Sequence, residues 1–129
     1  ARGAAYGLSM PQLSVQHIAL DVDDLDAALA FYCDGLGLTL ADRPKVLGDN
    51  GAWLEVGDGH QIHLVANEAF VAPTTSQHIA FGVTDCDAAV AELRGKGIEV
   101  SDPFDIGAGR QAFLNDPAGN LLELNEPTA

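Results

Sequence analysis

The chain has 129 residues, is 47% hydrophobic and 19% charged, and holds two cysteines, so it is one domain's worth of globular sequence that buries a core without disulfide staples. Six Lys and Arg against nineteen Asp and Glu leave a formal charge of −13, which argues against a nucleic-acid partner because that affinity comes largely from neutralising phosphates with cations. No apolar run approaches the roughly 18 residues of a membrane span, and Cys33 and Cys86 form no CxxC pair, so reduced thiols in the cytoplasm are expected.

Residues 1–12 are small and irregular and are set aside as an N-terminal extension, with Met10 a candidate native start. From His17 the chain alternates as a strand, and the Asp- and Ala-rich stretch that follows carries Leu25, Ala28, Leu29 and Tyr32 at helical spacing. Asp23 or Asp24 can cap that helix, and Gly35 and Gly37 end it. Three short strands are expected next, over 38–43, 51–57 and 61–66. Residues 68–75, with Ala72-Pro73-Thr74-Thr75, have no apolar periodicity and read as a linker.

The second half repeats the first. Residues 17–30 lie over 78–91 with most positions alike, and with a one-residue slip Gly37 falls on Gly97, Trp53-Leu54 on Phe113-Leu114, Gly59 on Gly119 and His63-Leu64 on Glu123-Leu124. A helix capped by Thr84 or Asp85 and ended by Gly95 and Gly97, then strands over 98–101, 110–115 and 120–125, are therefore expected, with Asp116-Pro117-Ala118-Gly119 as the last turn. The fold class is α+β, a single domain over 13–127 made of two βαβββ modules, 13–67 and 76–127. Modules of that size bury too little surface to stand alone, so they must pack on one another or on a second chain.

Strand parity then sorts the side chains. Ile18, Leu20 and Val22, and likewise Ile79, Phe81 and Val83, should take the helices, whereas His17 and His78 stand on the opposite, open faces. In the later strands His63 opposes Ile62 and Leu64, and Glu123 opposes Leu122 and Leu124, so these two join the open faces. Three imidazoles and a carboxylate related by one pseudo-twofold suit a divalent transition metal, with a metal-free polar pocket as the alternative. Trp53 and Glu55, with Phe113 and Asn115, share that parity and are expected to line the cleft wall as substrate contacts. Arg110, one of six cations, is the candidate partner for an anionic substrate group, and His60 reads as a solvent-facing turn residue.

These residues resemble the vicinal-oxygen-chelate superfamily, which includes glyoxalase I, methylmalonyl-CoA epimerase, extradiol dioxygenases, fosfomycin-resistance thiol transferases and bleomycin-binding proteins. The resemblance runs from about Leu13 to Pro127 and rests on His17-Ile18-Ala19-Leu20, Phe31-Tyr32, Gly35-Leu36-Gly37-Leu38, Gly51-Ala52-Trp53-Leu54, Gln61-Ile62-His63-Leu64, His78-Ile79-Ala80-Phe81 and Asp116-Pro117-Ala118-Gly119-Asn120 leading into Glu123. It implies a U-shaped eight-stranded mixed sheet around a metal-containing cleft, usually in a homodimer, with the site formed within one chain or between two. His17, His63, His78 and Glu123 match the family's four ligand positions, and the metal would be nickel, zinc, manganese or iron. His63 departs from the pattern, because glyoxalase I ordinarily has Glu there and the epimerase Gln.

The chemistry implied is chelation of adjacent substrate oxygens, which stabilises developing negative charge. The reading favoured is a glyoxalase-like lyase or isomerase acting on a small α-oxygenated carbonyl compound, with Glu123 moving the proton and His63 assisting. The rivals are a metal-independent, antibiotic-binding protein of bleomycin-resistance type and an extradiol-type iron dioxygenase.

Overall fold

The computed structural model describes residues 12–128; the candidate start at Met10 and almost all of the N-terminal extension lie outside them. The first module consists of β1 (His17–Val22), α1 (Leu25–Leu29), which continues as a π-helical segment (Ala30–Gly35), β2 (Thr39–Ala41), β3 (Gly51–Glu55) and β4 (Gln61–Ala66). The second consists of β5 (Ile79–Gly82), α2 (Cys86–Gly95), β6 (Phe104–Asp105), β7 (Gly109–Asn115) and β8 (Leu121–Pro127). The eight strands divide into two four-stranded mixed sheets, ordered β1-β4-β3-β2 and β5-β8-β7-β6. In each, the module's first strand runs parallel to its last, and the other pairs are antiparallel.

Local chemistry explains the helix limits. Asp24 is the cap of α1, its carboxylate accepting from the Ala27 amide at 3.0 Å, and Asp85 does the same for α2 through Ala88 at 3.0 Å. Each side chain satisfies an amide that the first helical turn leaves without a partner. Beyond the helices, Gly37 and Gly97 take φ values of 80° and 82°, a region that side chains with a Cβ rarely enter.

One strand departs from the expectation. Residues 98–101 form no strand, and the edge strand of the second sheet is Phe104–Asp105. Ser101 still lies along β7, donating its amide to the Phe113 carbonyl at 2.9 Å and accepting the Phe113 amide on its hydroxyl at 2.8 Å. Between Ser101 and Phe104 the ladder is interrupted, because Pro103 has no N–H and restricts Asp102 before it.

Leu54, Ile62 and Leu64 of the first module and Ala112, Leu114, Leu122 and Leu124 of the second belong to one buried cluster, with Tyr32, Val90 and Leu93 from the helices. The shared core answers the size problem of each module: neither half closes its own apolar face alone. Polar ties cross the same junction, from Tyr32 to Asp116, from the Asn120 amide to the Asp21 carbonyl, and from Lys96 to the carbonyls of Asp34 and Gly35. Ile18 and Ile79 line a common cleft of about 420 Å³ between the modules. Among the described residues no helix is long and apolar enough to cross a membrane.

Candidate functional site

The open face of the first sheet is built around β4, its second strand. Antiparallel pairing sets Trp53 opposite His63 and Glu55 opposite Gln61, while the parallel neighbour β1 brings Ala19 beside His63 and His17 diagonal to it. The consequence is a three-ring stack with His63 in the middle. Its centroid lies 4.1 Å from that of Trp53 at an interplanar angle of 2°, and 4.0 Å from that of His17 at 15°. His63 also bonds Gln61 Oε1 through Nε2 at 2.8 Å, and Gln61 in turn donates to Glu55 at 2.9 Å. Burial pushes the His63 pKa down, with His17 and Arg43 adding smaller effects of the same sign. All three favour neutral imidazole, the form that binds metals.

On the second sheet, β8 carries Glu123 opposite Phe113, the counterparts of His63 and Trp53. Glu123 is buried. Its Oε1 meets His78 Nε2 at 2.9 Å and its Oε2 accepts from Asn125 at 2.8 Å. His78 Nδ1 donates to the Ser76 carbonyl at 2.6 Å, and its ring meets Phe113 edge-on at 5.8 Å. With the Nδ1 proton given to a carbonyl, the other nitrogen faces a carboxylate across a distance that two acceptors share only around a proton or a metal cation. This donor set fits a divalent metal: neutral nitrogen, anionic oxygen and a carbonyl that orients the imidazole from behind.

The four expected ligands thus form two pairs, His17 with His63 and His78 with Glu123. Among the described residues, no group of three His, Cys, Asp or Glu side chains in one chain stands close enough to hold a metal. The cleft-wall candidates Trp53, Glu55 and Phe113 lie on the open faces beside these pairs. Asn115 shares that parity but turns to the β7–β8 connection, donating to the Gly119 carbonyl at 3.2 Å. His60, as expected, is an exposed turn residue, and its ring donates to the Val15 carbonyl at 2.6 Å.

Arg110 does not meet the expectation of a cleft cation. It shares parity with Ala112 and Leu114, which belong to the core. From that face it reaches α2, holding Asp87 through two bonds of 2.8 and 2.9 Å. The cation near the first open face is instead Arg43, which lies against Gly51 and donates to the Gly48 carbonyl and, at 3.2 Å, to Asn50. The sequence carries no signal for Arg43, whereas parity places Gln61 and Asn125 on the open faces, each two residues from a candidate ligand on the same strand, without assigning them a role.

The family model described as Glyoxalase/Bleomycin resistance protein/Dioxygenase superfamily matches residues 14–124. A lactoylglutathione lyase of Haemophilus influenzae is 32% identical over 126 residues, covering 88% of this chain and 93% of that protein. Among solved structures, a Bacillus anthracis protein assigned to the glyoxalase family superposes with a TM-score of 0.81 at 27% identity, covering 92% of this chain and 98% of the other. TnmS3, an antibiotic binding protein from Streptomyces sp. CB03234, superposes with a TM-score of 0.74 at 34% identity, covering 92% and 99%.

Proposed function

Since the chain belongs to the Glyoxalase/Bleomycin resistance protein/Dioxygenase superfamily, we propose that it is a divalent-metal-dependent lyase or isomerase of glyoxalase type, acting on a small α-oxygenated carbonyl compound. The observation that carries this reading is the contact between His78 Nε2 and Glu123 Oε1 at 2.9 Å, which calls for a cation or a proton between its two partners. His17, His63, His78 and Glu123 would hold the metal. Each pair is half of a ligand set, and a homodimer in which the first module of one chain faces the second module of its partner completes it.

Bound there, the metal would polarise the substrate carbonyl and stabilise negative charge on its oxygen. The chain's own contribution is proton transfer. Glu123 is the group that takes the proton from the carbon next to the carbonyl and returns it, and the Asn125 amide on Oε2 fixes which carboxylate oxygen is available. Trp53 and Phe113 stand beside His63 and Glu123 on the two open faces, where their apolar rings would limit water at the reacting carbon. His63 holds position rather than moving protons, since a lone pair engaged by a metal accepts no proton.

A second reading has its own support. Trp53, His63 and His17 stack face to face and present a row of aromatic ring edges, and TnmS3 is an antibiotic binding protein. In that reading the open faces capture an aromatic ligand without metal or turnover. One experiment decides between them: protein purified without added metal is analysed for nickel, zinc, manganese and iron, then titrated with each. Metal bound in stoichiometric amount, followed by turnover of methylglyoxal hemithioacetals and not of catechols after anaerobic reconstitution, supports the lyase. Protein that neither contains nor takes up any of the four metals removes the enzyme reading.

A further inference from the structure

We infer that Glu55 and Gln61 act together as positioning residues that fix the tautomer of His63, so that this ring offers Nδ1 to a ligand where His78 offers Nε2. The inference concerns a residue of the proposed metal site, but the tautomer itself does not depend on that proposal.

Three side chains on one sheet face, Glu55, Gln61 and His63, form a hydrogen-bonded relay. A carboxylate only accepts hydrogen bonds, so the Gln61 side chain must turn its NH₂ toward Glu55, as the 2.9 Å contact has it. Its carbonyl oxygen then has to point the other way, toward His63, where it lies 2.8 Å from Nε2. That oxygen is also only an acceptor, so Nε2 carries the proton. In a neutral ring the lone pair is then at Nδ1.

The stack removes the other approaches. Trp53 covers one face of the His63 ring and His17 the other, both within about 4 Å. Only the ring edge is left, and of its two nitrogens Nε2 is already engaged. In the second module the opposite choice is made by a backbone group, since the Ser76 carbonyl takes the Nδ1 proton of His78 and leaves Nε2 toward Glu123. His78 is the repeat counterpart of His17 and not of His63, so each ring takes its tautomer from its own neighbours. Glu55 accordingly acts behind His63 rather than on a substrate.

The test uses the full chain labelled with ¹⁵N at pH 8, free of metal, with the histidine ring nitrogens assigned by long-range ¹H–¹⁵N correlation. His63 should show a protonated Nε2 and a pyridine-like Nδ1. In Glu55→Gln the new amide can serve Gln61 as donor or acceptor, so a substantial Nδ1–H population should appear; Gln61→Leu removes the acceptor and should give the same loss of preference. Nickel affinity measured by calorimetry should fall about tenfold or more in both variants, the scale for groups that orient metal ligands. A wild-type His63 protonated at Nδ1, or tautomer populations unmoved in both variants, overturns the inference. If the wild-type chain binds no nickel, it is the proposed metal site that fails, and the ring-nitrogen signals still decide the tautomer.

Discussion

The Tyr32 hydroxyl donates a 2.7 Å hydrogen bond to Asp116 Oδ2, joining the helix of one module to the β7–β8 turn of the other inside the shared core. Asp116 has further partners, the amides of Ala118 and Asn120 on Oδ1 at 3.0 and 2.8 Å and the Asn120 side chain on Oδ2 at 2.9 Å. Removing the hydroxyl therefore leaves the carboxylate supplied, whereas removing the carboxylate strands the hydroxyl and the turn. Tyr32→Phe should cost about 1–2 kcal/mol in urea unfolding and Asp116→Ala distinctly more. Equal losses in the two variants would mean that the bond between the modules, rather than the turn, dominates.

The same pair sets an alkaline limit. Burial first, then the Asp116 charge and hydrogen bond, push the Tyr32 pKa far above the usual tyrosine value of 10.0. A group whose folded pKa is raised contributes fully below its unfolded pKa, and that contribution is lost as pH rises beyond it. Stability should thus fall above about pH 10, where the unfolded chain's phenol ionises and the folded one does not. The difference between wild type and Tyr32→Phe isolates this effect from the titration of lysines: it should shrink from pH 9 to pH 11, and a difference that is constant over that range contradicts the assignment.

Much of this architecture was legible in the chain itself. The repeat of residues 17–30 at 78–91 foretold two like modules, and parity alone put His63 with Trp53 and Glu123 with Phe113 on matching faces. What parity cannot give is how one module sits on the other, because that depends on which apolar faces close a common core. Whether the four ligands meet in one chain or stand apart as a His17–His63 pair and a His78–Glu123 pair is for that reason left open by the sequence. The strand expected over 98–101 fails for a local reason: the Ile98 amide is spent on the Leu93 carbonyl of α2 and the Val100 carbonyl accepts from Arg94. Arg110 is misplaced by an argument from the scarcity of cations, which says nothing of the face it stands on, whereas its parity with Ala112 puts it on the helix-bearing side.

Arg110 supplies a negative control for the cleft. The guanidinium beside Asp87 holds that carboxyl below the usual range, chiefly by hydrogen bonding. A depressed carboxyl contributes above its unfolded pKa and loses that contribution as pH falls through the folded one, so any effect of the pair belongs to acid conditions. Arg110→Gln should leave substrate KM within about twofold of wild type at neutral pH, because an exposed ion pair on the helix-bearing face does little beyond its surroundings. A large rise in KM would return Arg110 to the substrate.

Glu123→Gln separates metal binding from proton transfer. The amide keeps an oxygen that can still meet His78 or a metal, but it has no basicity. Turnover should drop by about 10²–10⁴-fold, the usual scale for a lost general base, while the purified variant still takes up metal, more weakly for want of one negative charge. Unchanged turnover would mean that another group moves the proton.

Pairing of half-sites across two chains makes a prediction that a site within one chain does not share. Let one variant carry His17→Ala with His63→Ala, and another His78→Ala with Glu123→Gln. Each homodimer lacks half of every ligand set, so each should be devoid of metal and activity. Mixed and refolded together, the two chains form a heterodimer in which one cleft combines both damaged modules and the other combines both intact ones. Because refolding at equal concentrations gives the heterodimer as half of all dimers, and each carries one working cleft of two, activity should return to about a quarter of wild type. Were all four ligands drawn from a single chain, every chain in the mixture would still be incomplete, and mixing would restore nothing. Metal content of the mixture, read against the separate homodimers, gives the same answer without a substrate.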